Sequence, residues 1–158
     1  MINRKALKEI ANRFDENKII WGLGGSCMMF LQGIDVDPRD IDLIVIPQDF
    51  ALALRLLNES DTFEVHGPSG IFASEHYAQG MFMDCPVDLI AGFRIITEGQ
   101  FIAYPFDDDR IIPVIFDRML IPCCLLEDWI PLYDAMDKHD KADLIKWKSK
   151  QSYFNLND

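Results

Sequence analysis

The sequence predicts an α+β fold with an α/β-type core: a mixed β-sheet flanked by helices, with further helices at the C-terminal end. The segment 19–46 carries an apolar run, a Gly-Leu-Gly-Gly-Ser turn, a short apolar segment, a polar loop and an alternating apolar run. This pattern indicates strand, turn, helix, loop and strand. With 158 residues, of which 49% are hydrophobic, the chain can bury one core. We expect a single domain, with a core at 1–122 and a C-terminal helical extension of the same domain at 123–158.

The remaining elements follow from apolar periodicity. A helical period predicts helices over 2–17, 26–32, 48–60, 125–138 and 141–150. Alternating or continuous apolar runs predict strands over 40–46, 63–66, 101–106 and 111–116. Segments 71–77 and 81–93 are expected to form an antiparallel pair with its turn at Ala78-Gln79-Gly80. The acidic run 107–109 is interpreted as a solvated turn, and the tail from residue 152 is expected to fray.

Two short motifs carry chemical meaning. Gly24 and Gly25 allow a sharp turn and a close approach to a ligand, and Ser26 lies where a helix would begin, a combination that suits a phosphate. Asp40 and Asp42 are two residues apart on a predicted strand, so both carboxylates leave the same face. Because adjacent carboxylates repel each other, a divalent cation is their natural neutraliser.

The order and spacing of these motifs resembles the signature of the nucleotidyltransferase superfamily related to DNA polymerase beta. The chain looks most like the small bacterial branch that includes antibiotic-modifying and toxin-antitoxin nucleotidyltransferases. The resemblance implies a nucleotidyltransferase-like sheet and a third carboxylate on a later strand, for which Asp88 in Pro86-Val87-Asp88-Leu89-Ile90 is the candidate.

The resemblance also implies a reaction. A nucleoside monophosphate would move from a nucleoside triphosphate, with ATP the expected donor, to an acceptor hydroxyl, with release of pyrophosphate. Asp40 and Asp42 would bridge two Mg²⁺ ions, and Asp88 would complete the ligands of one ion and could take the acceptor proton. Gly24, Gly25 and Ser26 would hold the terminal phosphates. Arg39 could meet a phosphate or balance the carboxylates, and the sequence leaves both roles open.

The C-terminal third departs from the signature. Tyr133 occupies the place where a lysine is expected, and a following basic-Asp element survives only loosely as Lys138, Lys141 and Asp143. Three hypotheses therefore stay open. The chain could be an enzyme that modifies a small molecule, a toxin-antitoxin type that modifies a protein or tRNA, or a degenerate member that only binds a nucleotide or partner. The small-molecule enzyme is favoured.

The composition limits the kinds of binding partner that we expect. A formal net charge of -11 argues against a broad nucleic-acid surface, because phosphate backbones are held by clusters of Lys and Arg. A small or cationic acceptor suits this charge better, and a homodimer or a toxin-antitoxin partner stays possible. The sequence contains no apolar run of membrane-spanning length, and segment 1–13 is charged and amphipathic, so we expect a cytoplasmic protein with no membrane contact.

The remaining candidate ligands are weaker. The four cysteines lie in apolar surroundings and are interpreted as reduced core residues. A zinc site from Cys123, Cys124 and His139 is disfavoured because the chain lacks the CxxC spacing. His66 and His76 are interpreted as incidental polar residues rather than catalytic bases.

Overall fold

The computed structural model describes residues 1–156, and the side chains of residues 1–151. The helices are α1 (Arg4–Glu16), α2 (Gly25–Leu31), α3 (Phe50–Leu57), α4 (Leu126–Ala135) and α5 (His139–Leu156). The strands are β1 (Trp21–Gly24), β2 (Ile41–Val45), β3 (Glu64–Val65), β4 (His76–Phe82), β5 (Cys85–Ala91), β6 (Arg94–Thr97), β7 (Gln100–Ala103), β8 (Ile111–Phe116) and β9 (Met119–Cys124). Short 3₁₀ turns cover Pro47–Asp49 and Asp108–Arg110.

The strands form one mixed sheet of seven and a separate hairpin. The order in the larger sheet is β3-β4-β5-β2-β1-β9-β8, and β6 pairs only with β7. β2 and β5 are parallel, as are β1 and β9, and the other neighbours are antiparallel. This confirms the predicted α+β class and its mixed sheet. The expected domain boundary at 122 falls inside β9, a strand that pairs with both β1 and β8.

The helices bury one side each against this sheet or against each other. In α1 the Asn3 side chain accepts a hydrogen bond from the Ala6 amide at 2.9 Å, which satisfies one of the free amides at the helix start. α1 packs on α3, α2 packs against β1, β2 and β9, and α4 packs against α5 and the β6–β7 hairpin. No helix among residues 1–156 is long and apolar enough to cross a membrane.

The first hairpin was predicted in the wrong register. Its turn is at Met83 and Asp84, both with positive φ, and Ala78, Gln79 and Gly80 lie inside β4. Gly80 pairs with Val87 of β5, and a Cβ at Gly80 would stand 2.6 Å from the ring of Phe63. Glycine therefore marks a close packing contact here, which the sequence pattern could not distinguish from a turn.

The later strands form two hairpins that the sequence analysis did not predict. β7 forms an antiparallel pair with the preceding strand, β6, and β8 forms one with the following strand, β9. Neither β6 nor β9 was predicted from the sequence. Both hairpins use two-residue turns with positive φ, at Glu98-Gly99 and at Asp117-Arg118. Asp117-Arg118 has no glycine, so the usual sequence signal for such a turn is missing. The expected frayed tail is helical as far as Leu156, and the rest of it lies outside the described residues.

Candidate active site

The three predicted carboxylates converge at one end of β2 and β5. Asp42 and Asp88 are direct partners across the parallel β2–β5 pair, and Asp40 immediately precedes β2. Register-matched residues on neighbouring strands share a face of the sheet, so the side chains point the same way. One carboxylate oxygen from each of Asp40, Asp42 and Asp88 lies within 4.8 Å of the other two. The neighbours Ile41 and Leu43 are buried at 1% and 0% exposure, as the alternation predicted.

The three carboxylates repel one another when no cation lies between them. The pKa of Asp42 is raised well above its ordinary value of 3.8, first by burial and then by the negative charges of Asp88 and Asp40. The positive charge of Lys138, which also lines the cleft, opposes this rise in the pKa of Asp42. Oxygen ligands in a compact group of three match the preference of Mg²⁺ and similar hard cations. The donor set therefore fits a divalent metal.

The glycine turn is shaped around this cluster. Gly25 has a φ of +61°, and a Cβ on it would stand 1.9 Å from Oδ2 of Asp42. Any side chain at this position would collide with the carboxylate and would also strain the backbone. Gly24 pairs with Asp42 across β1 and β2, and a Cβ there would stand 2.4 Å from Cζ2 of Trp129. The two glycines thus make room for Asp42 and Trp129, and the next residue, Ser26, lines the cleft.

Lys141 is the site residue whose position the sequence left undecided. Its Nζ donates a hydrogen bond to the Ser26 hydroxyl at 3.2 Å, across 115 positions of sequence. The same ammonium lies 5.5 Å from the ring centroid of Tyr133. The structure therefore brings a cation from α5 to the serine that the motif predicted for phosphate contact. The loose spacing of Lys138, Lys141 and Asp143 in the sequence gave only a weak signal for this.

Tyr77 is a neighbour of the carboxylates that sequence reasoning missed. Its hydroxyl donates a hydrogen bond to Oδ1 of Asp88 at 2.6 Å. Burial, followed by that hydrogen bond, raises the pKa of Tyr77 above its ordinary value, so the phenol stays protonated as the donor. The contact restrains the orientation of Asp88. No local sequence signal pairs Tyr77 with Asp88, because their contact depends on the register of β4 on β5.

These groups border one cleft of about 460 Å³. Its lining includes all three carboxylates and Gly25, Ser26, Lys138 and Lys141. Further polar and aromatic lining residues include His66, Ser69, Phe72, Ser74, Gln79 and Phe93.

Several other candidate residues do not line the cleft. Arg39 is exposed and lies outside its lining. His76 stacks on Phe50, with ring centroids 5.0 Å apart. The cysteines are free and buried. Within the described part of the chain, Cys123, Cys124 and His139 form no metal-ligand cluster, and the imidazole of His139 contacts Asp134 and Asp137 instead.

Comparison with solved structures relates this chain to the nucleotidyltransferases. No protein-family model matches the sequence, and no curated protein matches it either. Among solved structures, TM1012 from Thermotoga maritima, a candidate nucleotidyltransferase, is similar at 25% identity over 92% of each chain, with a TM-score of 0.72. This confirms the relation to the nucleotidyltransferase superfamily predicted from the sequence and supports an enzyme of that class.

Two antibiotic-modifying enzymes share the fold at lower identity. The lincosamide antibiotic adenylyltransferase LnuA, solved with lincomycin bound, is 18% identical over 92% of this chain and 97% of its own, with a TM-score of 0.60. ANT(2")-Ia, solved in complex with adenylyl-2"-tobramycin, is 12% identical over 94% of this chain and 97% of its own, with a TM-score of 0.57. At these identities the similarity shows a common fold.

Proposed function

We propose that the chain is a metal-dependent nucleotidyltransferase that transfers a nucleoside monophosphate from a nucleoside triphosphate to a hydroxyl group of a small molecule. The observation that carries this proposal is the meeting of Asp40, Asp42 and Asp88 with the Ser26–Lys141 pair in one cleft. The cleft thus has an acidic part that suits divalent cations and a basic part that suits phosphates. ATP is the donor we expect, Mg²⁺ the metal, and the cytoplasm the location.

The chain's own residues have distinct tasks in this reaction. Asp40 and Asp42 would hold the cations, and a bound pair of Mg²⁺ ions would supply charge neutralisation and activation of the acceptor oxygen. The acceptor oxygen forms a bond to the α-phosphorus while the bond from that phosphorus to the β-phosphate oxygen breaks. Asp88, oriented by Tyr77, takes the acceptor proton.

The leaving pyrophosphate is held by side chains rather than by a helix end. α2 has only 7 residues, so its dipole is small, and we assign the contact to the Ser26 hydroxyl and the Lys141 ammonium. Both groups can donate hydrogen bonds to phosphate oxygens. Catalysis then consists mainly of positioning and charge neutralisation, which three carboxylates, a serine and a lysine can provide.

A small acceptor agrees with the remaining part of the cleft. The rest of its lining includes an amide, hydroxyls and aromatic rings, such as Gln79, Ser74 and Phe72. A cleft of about 460 Å³ has the size of sites that enclose small ligands. LnuA and ANT(2")-Ia, the antibiotic-modifying proteins with this fold, supply the precedent for a small acceptor.

The proposal is tested by calorimetric titration of ATP, GTP, CTP and UTP into the protein, with and without Mg²⁺. The same titrations use Asp42→Ala and, as a matched control, Asp108→Ala from the exposed acidic turn. We expect Mg²⁺-dependent binding of one nucleotide by the wild type and by Asp108→Ala, and its loss in Asp42→Ala. A folded wild type that binds none of the four nucleotides in Mg²⁺ would refute the proposal.

A further inference from the structure

Tyr133 stands where the resembled signature carries a lysine, and its surroundings explain the exchange. Tyr133 is only 2% exposed. Its ring packs on Trp129, with centroids 5.4 Å apart. Trp129 in turn stacks on Phe93 at 5.6 Å. Because aromatic rings packed in this way have few alternative rotamers, the Tyr133 ring is a fixed surface at the base of the cleft.

One face of this ring supports Lys141. The ammonium of Lys141 lies 5.5 Å from the Tyr133 ring centroid, within the range of a cation–π interaction. The hydroxyl of Ser26 accepts a hydrogen bond from the same nitrogen at 3.2 Å. A flexible lysine is therefore held at two points, which directs its charge to the glycine-serine turn.

The backbone between α4 and α5 fixes the distance between the two residues. The Lys138 amide donates a hydrogen bond to the Tyr133 carbonyl at 2.8 Å, and the Lys141 amide donates to the Lys138 carbonyl at 3.2 Å. Lys141 thus starts from the first turn of α5, close to the C-terminal end of α4. From this position the Lys141 side chain reaches the ring of Tyr133 on α4.

The hydroxyl of Tyr133 takes no part in holding the ring. It is buried and has no hydrogen-bond partner among the described residues. Packing and the ring face therefore explain the contact with Lys141, and phenylalanine should serve equally well at this position.

We infer that Tyr133 is a positioning residue that holds Lys141 as the lysine for the donor's β- and γ-phosphates. The positive charge that the signature places on α4 is supplied by the next helix, with an aromatic ring on α4 as its support. This inference rests on the proposed function, because it assumes that the ligand at Ser26 is a triphosphate.

The test measures binding of pyrophosphate, and of the preferred nucleoside triphosphate, each with Mg²⁺, by calorimetry. Lys141→Met is expected to weaken both about 10-fold or more, since it removes a charged hydrogen-bond donor. Tyr133→Leu is expected to weaken them roughly 2- to 5-fold, the size of an exposed cation–π contact. Lys150→Met, on the exposed side of the same helix, is the control and should bind as the wild type does.

Two further variants separate positioning from a general structural role. Tyr133→Phe keeps the ring and should stay within about twofold of the wild type, because a cation–π contact needs only the ring face. In a Lys141→Met background, Tyr133→Leu should cause no additional loss, because its effect acts through Lys141. Thermal unfolding of every variant establishes that it is folded under the conditions of the titration.

Each outcome decides between the two proposals. If the wild type binds neither ligand, the proposed function fails and the inference fails with it. If the wild type binds and Lys141→Met binds equally well, the function stands and the inference is wrong. If Tyr133→Phe is as weak as Tyr133→Leu, the hydroxyl binds the ligand and the positioning role is refuted. Independent losses from Tyr133→Leu and Lys141→Met would refute it as well.

Discussion

The acidic side of the cleft, carried by β2 and β5, and its basic side, carried by α4 and α5, are held in place by different kinds of contact. Asp42 and Asp88 are placed by a continuous ladder of backbone hydrogen bonds between parallel strands. Lys141 is placed by its contacts with Ser26 and Tyr133 and by the packing of α5 on α4.

The two helices of the basic side are anchored by contacts of different strength. α4 is fixed by the bidentate pair between Arg110 and Asp128, in which Nε of Arg110 donates to Oδ2 at 2.7 Å. The start of α5 is tied by His139, whose two ring nitrogens lie 2.8 Å from Asp134 and 2.9 Å from Asp137. These last partners are exposed, so they restrain α5 weakly. We therefore expect single substitutions to have larger effects on the acidic side than on the basic side.

The largest effect is expected on the acidic side. Asp88→Asn keeps the size of the side chain and removes the proposed proton acceptor and one cation ligand. Loss of metal-ion catalysis costs several kcal/mol, so the rate of transfer should fall more than about 100-fold. Pyrophosphate release with the preferred nucleotide and an acceptor hydroxyl compound is the measurement. Asp109→Asn, in the exposed acidic turn, is the matched control, and equal rates in the two variants would remove Asp88 from the mechanism.

A substitution in the glycine turn tests how tightly the acidic side is packed. Gly25→Ala would place a Cβ 1.9 Å from Oδ2 of Asp42 at a φ of +61°, whereas Gly99→Ala, at a φ of +75°, meets no atom within 4 Å. Both variants would place alanine in a left-handed backbone conformation, which costs roughly 1 to 2 kcal/mol. Only Gly25→Ala must also displace Asp42, so it should unfold at a lower temperature than Gly99→Ala and lose Mg²⁺-dependent nucleotide binding. Equal melting temperatures and retained binding would show that the turn can relax.

The charge repulsion within the carboxylate cluster has a measurable cost in the metal-free protein. The folded-state pKa of Asp42 is raised, so its stabilising contribution is complete below the ordinary value of 3.8 and is lost as the pH rises through the raised value. Asp42→Asn removes this loss and should raise the metal-free stability at neutral pH by about 1 kcal/mol. The checking measurement is thermal unfolding of both proteins in EDTA from pH 4 to pH 8. The gap should widen with pH, and a gap that is constant across this range would contradict the repulsion.

The smallest effect is expected at the start of α5. A hydrogen bond with Asp134 is the first cause that raises the pKa of His139 above its ordinary value of 6.5. The resulting stabilisation is complete below pH 6.5 and is lost as the pH rises through the raised value. His139→Gln should therefore melt below the wild type at pH 6 and together with it in alkaline buffer. Because these groups are exposed, the difference should shrink in high salt, and a difference independent of pH and salt would show a different role.

Much of the acidic side could be predicted from the sequence alone. The spacing of Asp40 and Asp42 on a strand fixes their common face, because side chains alternate along every strand. The Gly24-Gly25-Ser26 turn is likewise a local property, since it depends on backbone conformations available to a few residues. The helices over most of their length and the α+β class followed from apolar periodicity in the same way.

The tertiary structure decided the contacts between residues distant in sequence. The hydrogen bond of Tyr77 to Asp88 depends on a hairpin whose turn, Met83-Asp84, has no glycine to mark it. The meeting of Lys141 with Ser26 spans 115 positions and depends on how α5 packs against α4. Local propensity and periodicity carry no information on such distances, because they describe the conformation of a segment and not its packing partners. The sequence by itself therefore determined the Asp40–Asp42 pair and its strand, and tertiary packing decided which lysine reaches Ser26.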